Sequence, residues 1–248
     1  MLLRLPILFS TATLKPTSRL MSTMDGTLGT KPGAAERNKG PIMEQLVAHN
    51  MFVKPCSQLP LHVLEIAAGN GPHTSYFTAP TNIPNLASWQ PTDPSSACLA
   101  AINSLDYTAA SCLVSPACPL TLSSTTSSGA VEDEYWAADT RLFDAMLVIN
   151  MVHIAPWDAT LGLMKFASGK LTERGAVVLY GPYMIDGVMG DGNERFDESL
   201  RARDATWGVR ELREVEFEAG ERGLELVKVI DMPANNNMAV FQRKHARI

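Results

Sequence analysis

One stretch constrains what this chain can fold into more than any other: Val63-Leu64-Glu65-Ile66-Ala67-Ala68-Gly69-Asn70-Gly71-Pro72-His73. The apolar run from Leu61 to Ile66 is short and gives way at once to turn residues, the pattern of a buried strand. Ala67 to Gly71 carries small side chains, which lets a ligand lie against the main chain. Gly71 suits an N-cap and Pro72 the first helical position, so a helix is expected from Pro72. Strand, small-residue turn and helix N-terminus together make a nucleotide-type pocket, where free backbone N–H groups meet an electron-rich ligand. The dinucleotide fingerprint Gly-x-Gly-x-x-Gly does not occur here; the spacing from Glu65 is Glu-x-Ala-x-Gly-x-Gly. The alternative is an ordinary strand-to-helix turn, because short glycine patterns arise by chance. The segments that follow decide between the two.

The 248 residues, 46% of them hydrophobic, allow a sizeable core and favour one domain with appendages. No apolar run approaches the roughly 20 residues that span a bilayer. A formal charge of −5 leaves no footprint for nucleic acid or an anionic membrane. Cys56, Cys98, Cys112 and Cys118 include no Cys-x-x-Cys pair and no histidine at zinc spacing, so they read as reduced intracellular thiols and no metal is expected. Residues 1–33 are read apart from the fold. Their first acid is Asp25, and Arg4, Lys15 and Arg19 stand among many Ser and Thr. That composition suits a mitochondrial transit peptide, with a plastid peptide or a disordered leader on a cytoplasmic protein as alternatives.

The domain is expected over residues 34–248. Pro41 is expected to open a helix with Ile42, Leu46, Val47 and Phe52 on its apolar face, and Arg37 and Asn38 just before it are placed over a pocket mouth. Leu86 to Thr92 reads as a second strand closing on Asp93. That acid is either the N-cap of a helix from Pro94 to Tyr107 or the group that takes the hydroxyls of a ribose. Thr108 to Glu134 reads as an elongated surface loop, with a short third strand at Leu120 to Leu122. Phe143 to Ile149 is a buried strand, and Asn150 and His153 just beyond it fall where an open parallel sheet holds its ligand. Trp157 to Lys170 reads as an amphipathic helix and Gly175 to Tyr180 as a strand that ends toward Tyr183. A charged rim helix is expected over Asp191 to Arg203, and another helix from Trp207. The strands Leu224 to Ile230 and Met238 to Gln242 are too close for a crossover and must pair antiparallel. Asp231, Asn235 and Asn236 in their turn then fall at the carboxyl edge, beside a substrate, unless the asparagines only form the turn. The fold class is α/β, a doubly wound sheet with one reversed strand.

These pieces resemble one family, methyltransferase-like 26, within the class I S-adenosylmethionine (SAM) methyltransferases. The resemblance lies in Ala35-Glu36-Arg37-Asn38-Lys39 before Pro41-Ile42, Val63-Leu64-Glu65 with Gly69-x-Gly71, and Trp89-Gln90-Pro91 with Asp93. It continues through Ile149-Asn150-Met151 with His153, Tyr180-Gly181-Pro182-Tyr183, Trp207-Gly208 and Asp231-Met232-Pro233-Ala234-Asn235-Asn236. It implies a Rossmann-like sheet of seven strands in the order 3-2-1-4-5-7-6 with the last antiparallel. It also implies SAM as cofactor, held by Glu65, Ala67, Gly69, Gly71, Asp93, Ser123 and Asn150. Ala67 stands where many such enzymes have glycine, a change tolerated if its backbone stays in a region open to L-residues. Leu122-Ser123-Ser124-Thr125 stands where the family has an acid near the adenine.

The implied chemistry needs an acceptor aligned with an activated methyl group, and a base only where the acceptor must lose a proton. His153, Tyr183 and Asp231 are the candidate catalytic residues; Arg37, Asn38, His153, Tyr183, Asn235 and Asn236 are the candidates on the substrate side. The acceptor is a small molecule or a protein. Two other readings stand beside this one: a non-catalytic binding or assembly factor on the same fold, and a nicotinamide-dependent oxidoreductase, which the glycine spacing and the terminal hairpin disfavour.

Overall fold

The computed structural model describes residues 33–49, 60–80, 83 and 85–244. Residues 1–32, Phe52 and Cys56, on which some sequence expectations fall, lie outside them.

The chain opens on α1 (Ala34–Ala48). Pro41 lies inside this helix rather than at its start, so Arg37 and Asn38 are helical residues. A proline in mid-helix forgoes one backbone hydrogen bond. Burial of Ile42, Met43 and Leu46 holds the helix against the sheet. Next come β1 (Leu61–Ile66), α2 (Pro72–Phe77), β2 (Leu86–Asp93) and α3 (Ser96–Asn103). Ser95, not Asp93, caps α3, its side chain accepting from the Cys98 N–H.

The third strand is broken into β3 (Leu113–Val114) and β4 (Cys118–Pro119), both parallel to β2. The expected strand at Leu120 to Leu122 is instead a single bridge between Leu122 and Ala130. Pro116 and Pro119 explain the fragmentation, since proline cannot donate to a ladder and survives only at a sheet edge. The loop that follows is not free at the surface. The Thr121 N–H and hydroxyl donate to Glu132, the Ser123 and Ser124 hydroxyls to Asp158, and Lys165 to the Thr126 carbonyl.

After α4 (Asp133–Ala138) come β5 (Phe143–Ile149), α5 (Trp157–Lys170), β6 (Leu171–Gly181), β7 (Tyr183–Met184) and α6 (Asn193–Arg203). β8 (Arg210–Glu211) pairs with β7 and so delays α7 to Leu212–Gly220. β9 (Leu224–Met232) and β10 (Asn236–Arg243) complete the sheet.

The order is β3-β2-β1-β5-β6-β10-β9, with β4 also beside β2. With β3 and β4 counted as one broken strand, this is the expected 3-2-1-4-5-7-6. β10 is antiparallel to both β6 and β9. Alternate residues of each central strand face opposite layers. Leu64, Ile66, Met146, Val148, Val177 and Leu179 pack with Trp136 of α4, Leu163 and Phe166 of α5, and Val215 of α7. Val63, Ala145, Leu147, Val178 and Val240 pack with Ile42 and Leu46 of α1 and Phe77 of α2. Both faces are covered, which is why these strands read as near-continuous apolar runs. Among the described residues no helix is long and apolar enough to cross a membrane.

Candidate functional site

β1 ends because the backbone turns left-handed: φ is 56° at Ala67, 58° at Gly69 and 82° at Gly71. The left-handed backbone at position 71 favours glycine, and a Cβ there would also press on the tip of the Leu105 side chain. Ala67 does not stay in the region ordinary for L-residues; it occupies a conformation that costs alanine roughly 1 kcal/mol. The turn is stitched to the neighbouring strand end. The Ala68 N–H donates to the Thr92 carbonyl (2.9 Å), and the Thr92 hydroxyl donates to the Glu65 carbonyl (2.8 Å).

Asp93 sits at the carboxyl end of β2, 5% exposed. Its Oδ2 accepts from the Gly69 N–H and its Oδ1 from the Ser95 N–H, both at 2.9 Å. Burial raises its pKa, and these two N–H groups pull against that rise. Asp93 therefore joins the second strand to the middle of the glycine turn.

Glu65 is 2% exposed, deeper than its place in the turn motif suggests. One oxygen, Oε2, accepts from both the Thr74 hydroxyl (2.5 Å) and the Trp89 indole N–H (2.8 Å). Burial pushes its carboxyl up to about 7, with the Asp93 charge adding to the rise. Glu65 thus knits β1 to β2 and α2 through its side chain.

Across the carboxyl edge, Asn150 ends β5 with φ 58°, a left-handed conformation that asparagine tolerates, and its N–H donates to the Tyr180 carbonyl (2.8 Å). His153 follows in the next turn, buried with its ring edge-on to Phe196 at 5.5 Å. Gly181 makes room for that ring, since a Cβ there would lie 3.2 Å from His153 Nδ1. Burial, helped by the charges of Arg203 and Arg210, pushes His153 down to about 4, so the imidazole is neutral near pH 7 and a weak base.

Of the other sequence candidates, the terminal turn with Asp231, Asn235 and Asn236 lies at the expected carboxyl edge, Asn237 pairing with Gly181 at the end of β6. The Tyr183 hydroxyl is enclosed in the core beside α5 and α7 and has no hydrogen-bond partner among the described residues. Burial raises its pKa further, so it is not an accessible base. Asp231 is exposed on edge strand β9 and accepts from the Asn237 amide (3.1 Å). Asn235 fastens the terminal turn to the approach of α6: its amide donates to the Asp191 carbonyl (2.7 Å) and its carbonyl accepts from Asn193 (3.0 Å). Asn236 bonds the Pro233 carbonyl (3.0 Å) and acts as a turn former. Ser123 donates to Asp158 at the start of α5 (2.7 Å), and its backbone packs against Gly162 of that helix. Arg37 is exposed on α1, whereas Asn38 is buried and meets His73. Thr74, Trp89, His73 and Tyr180 are thus site residues that the sequence reading did not single out as such. Trp89, His73 and Tyr180 stood within quoted motifs, whereas Thr74 carried no signal. Among the described residues no group of three or more His, Cys, Asp or Glu is placed to hold a metal ion.

A family model described as a protein of unknown function, DUF938, matches residues 30–243. The fold is also that of several solved structures. The mitomycin 7-O-methyltransferase MmcR superposes with a TM-score of 0.57 at 12% identity, over 81% of this chain and 54% of that one. CalO1, a methyltransferase in calicheamicin biosynthesis solved in an SAH-bound form, superposes with a TM-score of 0.54 at 12% identity, over 81% and 55%. The magnesium protoporphyrin IX methyltransferase ChlM from Synechocystis PCC 6803, with bound SAH, gives 0.55 at 9% identity, over 84% and 83%. The chain spans about half the length of the first two and most of the third. At these identities the likeness is one of fold.

Proposed function

The chain belongs to the DUF938 family of unknown function, and we propose that it is an S-adenosylmethionine-dependent methyltransferase acting on a small molecule or a protein. The observation that carries this reading is the junction of Asp93 with the glycine turn. A carboxylate at the end of the second strand and a backbone free of Cβ atoms at Gly69 and Gly71 lie within one hydrogen bond of each other. Space around Gly69 is open, with no atom within 4 Å of where a Cβ would stand. That arrangement suits an adenosine whose ribose hydroxyls face a carboxylate while its chain runs along the main chain. The sequence resemblance to the methyltransferase-like 26 family supports the same reading.

SAM, when bound, would supply an activated methyl group. Asp93 would hold the ribose, Gly69 and Gly71 would leave room along the backbone, and Glu65 would keep β1, β2 and α2 in register beneath them. Asn150 and His153, joined to the end of β6, would border the acceptor. With His153 held neutral and weakly basic, the protein's contribution is chiefly to align the acceptor and exclude water. The second reading, a SAM-fold binding or assembly factor without turnover, draws on the enclosure of Tyr183 and the pairing of Asp231. We also propose that residues 1–33 direct the protein to mitochondria and that 34–248 form the methyltransferase-like domain.

The test is release of S-adenosylhomocysteine (SAH) when the full-length protein is given SAM with fractionated metabolites and proteins. Release that needs both the protein and one fraction, and that falls in Asp93→Asn, supports the enzyme. SAM binding without release in any fraction supports the binding factor.

A further inference from the structure

α7 buries Leu212, Val215 and Ala219 against the sheet and turns Phe217 outward, 65% exposed. An apolar ring on the crest of a helix contributes nothing to the fold it belongs to, because its contribution comes from leaving water. With Trp157, the first residue of α5, and with Arg210, Arg213, Glu214 and Glu218 it lines an open groove of about 480 Å³, room enough for an aromatic side chain. The Arg210 guanidinium lies over the Trp157 ring, 5.7 Å from its centre. Arg213 reaches Asp186 at 2.7 Å, and the turn that holds Asp186 adds Ile185 and Val188, both exposed. None of these residues belongs to the glycine turn or to its junction with Asp93.

The charges along the groove run in one direction. Arg210 and Arg213 stand at the amino end of α7, Glu218 and Glu221 at its carboxyl end. Glu214 is the exception, an acid near the cationic end. Arg213, Phe217 and Glu221 follow one another at helical spacing, and the backbone at Glu221 is still helical (φ −62°, ψ −18°), so the three form one stripe. The Arg213 contact with Asp186 is between side chains mostly in solvent, a pair of little strength that engages one nitrogen of the guanidinium. A stripe that is cationic at one end, aromatic in the middle and acidic at the other is complementary to itself turned end for end.

We propose that this face docks a second copy of the chain, in a two-fold dimer with the two α7 helices antiparallel. Position 217 lies midway between 213 and 221. Antiparallel helices centred there bring Phe217 against the partner's Phe217 and set Arg213 opposite the partner's Glu221, with the same pair repeated at the other end by symmetry. Each Phe217 then leaves water in the other protomer's groove, over Trp157. An aromatic anchor at the centre with charged residues around it is the usual anatomy of a protein interface.

The experiment is sedimentation velocity on the full-length protein over a dilution series from about 1 to about 100 μM. The wild type should pass from monomer to dimer as concentration rises. Phe217→Ala, Arg213→Glu and Glu221→Arg, all at exposed positions, should each weaken the dimer by about 10-fold or more, the first through the lost anchor and the others by setting like charges together. Arg213→Glu mixed in equal amount with Glu221→Arg should associate again, because each end of the mixed dimer pairs a glutamate with an arginine. A wild type that stays monomeric over the whole series overturns the inference. So does a dimer that none of the three substitutions weakens, such as one formed through edge strand β9, and so does a mixture that associates no better than either variant alone.

Discussion

Glu65→Gln offers a quantitative test of the buried junction beneath the glycine turn. The Glu65 carboxyl accepts from Thr74 and Trp89, and burial raises its pKa from 4.5 to about 7. An acid raised in this way binds its proton more tightly in the folded chain than in the unfolded one. Its stabilising contribution is complete below about pH 4.5 and is lost as pH rises through about 7. At about 1.4 kcal/mol per pH unit, that interval corresponds to about 3 kcal/mol. Glutamine keeps a carbonyl oxygen for both donors and does not ionise. The stability of Glu65→Gln relative to wild type should therefore grow by about 3 kcal/mol between pH 4.5 and 8, read from urea unfolding at fixed pH values. His73 and His153, both pushed down to about 4, add a slope of opposite sign below about pH 6.5. They are present in both proteins and cancel in the difference. Parallel stability curves for the two proteins over this range would refute the reasoning, because they would mean that Glu65 ionises as an ordinary surface carboxyl does.

Tyr183→Phe removes a buried hydroxyl that has no partner among the described residues and should raise stability by about 1–3 kcal/mol, seen as a higher thermal midpoint, with SAH affinity unchanged. A loss of stability would reveal a partner for that hydroxyl. Ala67→Gly relieves the left-handed backbone and should add no more than about 0.5 kcal/mol in urea unfolding, after the greater freedom of glycine in the unfolded chain is counted. Ser123→Ala should cost about 1 kcal/mol through the lost bond to Asp158 and leave SAH affinity intact; a fall in affinity would return Ser123 to the donor pocket.

These predictions divide along the line between local and tertiary information. Phe143–Ile149 and Trp157–Lys170 have the bounds expected from their apolar patterns, because both elements are buried over most of their length. Gly71 and Pro72 likewise cap and start α2 as their own backbone preferences require. The antiparallel pairing of β9 with β10 was legible because the link between them is too short for a crossover, whereas the order of the sheet came only with the family resemblance. The third strand was not, since two prolines at a sheet edge leave little periodicity to read. Pro41 misled for the opposite reason: tertiary packing of Ile42 and Leu46 carries α1 through a residue that locally favours a helix start. The polar links of the site belong to neither pattern. Thr74 and Trp89 meet on Glu65, and Asn38 meets His73, from separate elements brought together only by the fold. Ser123 shows the converse, a hydroxyl suited by type to a ligand but taken by Asp158.

The central claim, a SAM site built on Asp93 and the glycine turn, is tested most directly by calorimetric titration of SAH into the full-length protein and its Asp93→Asn variant. The account predicts saturable one-to-one binding by the wild type and affinity lower by about 10-fold or more in the variant, the cost of losing a charged hydrogen bond. No heat of binding from a wild type shown to be folded, or equal affinity in the two proteins, would contradict it.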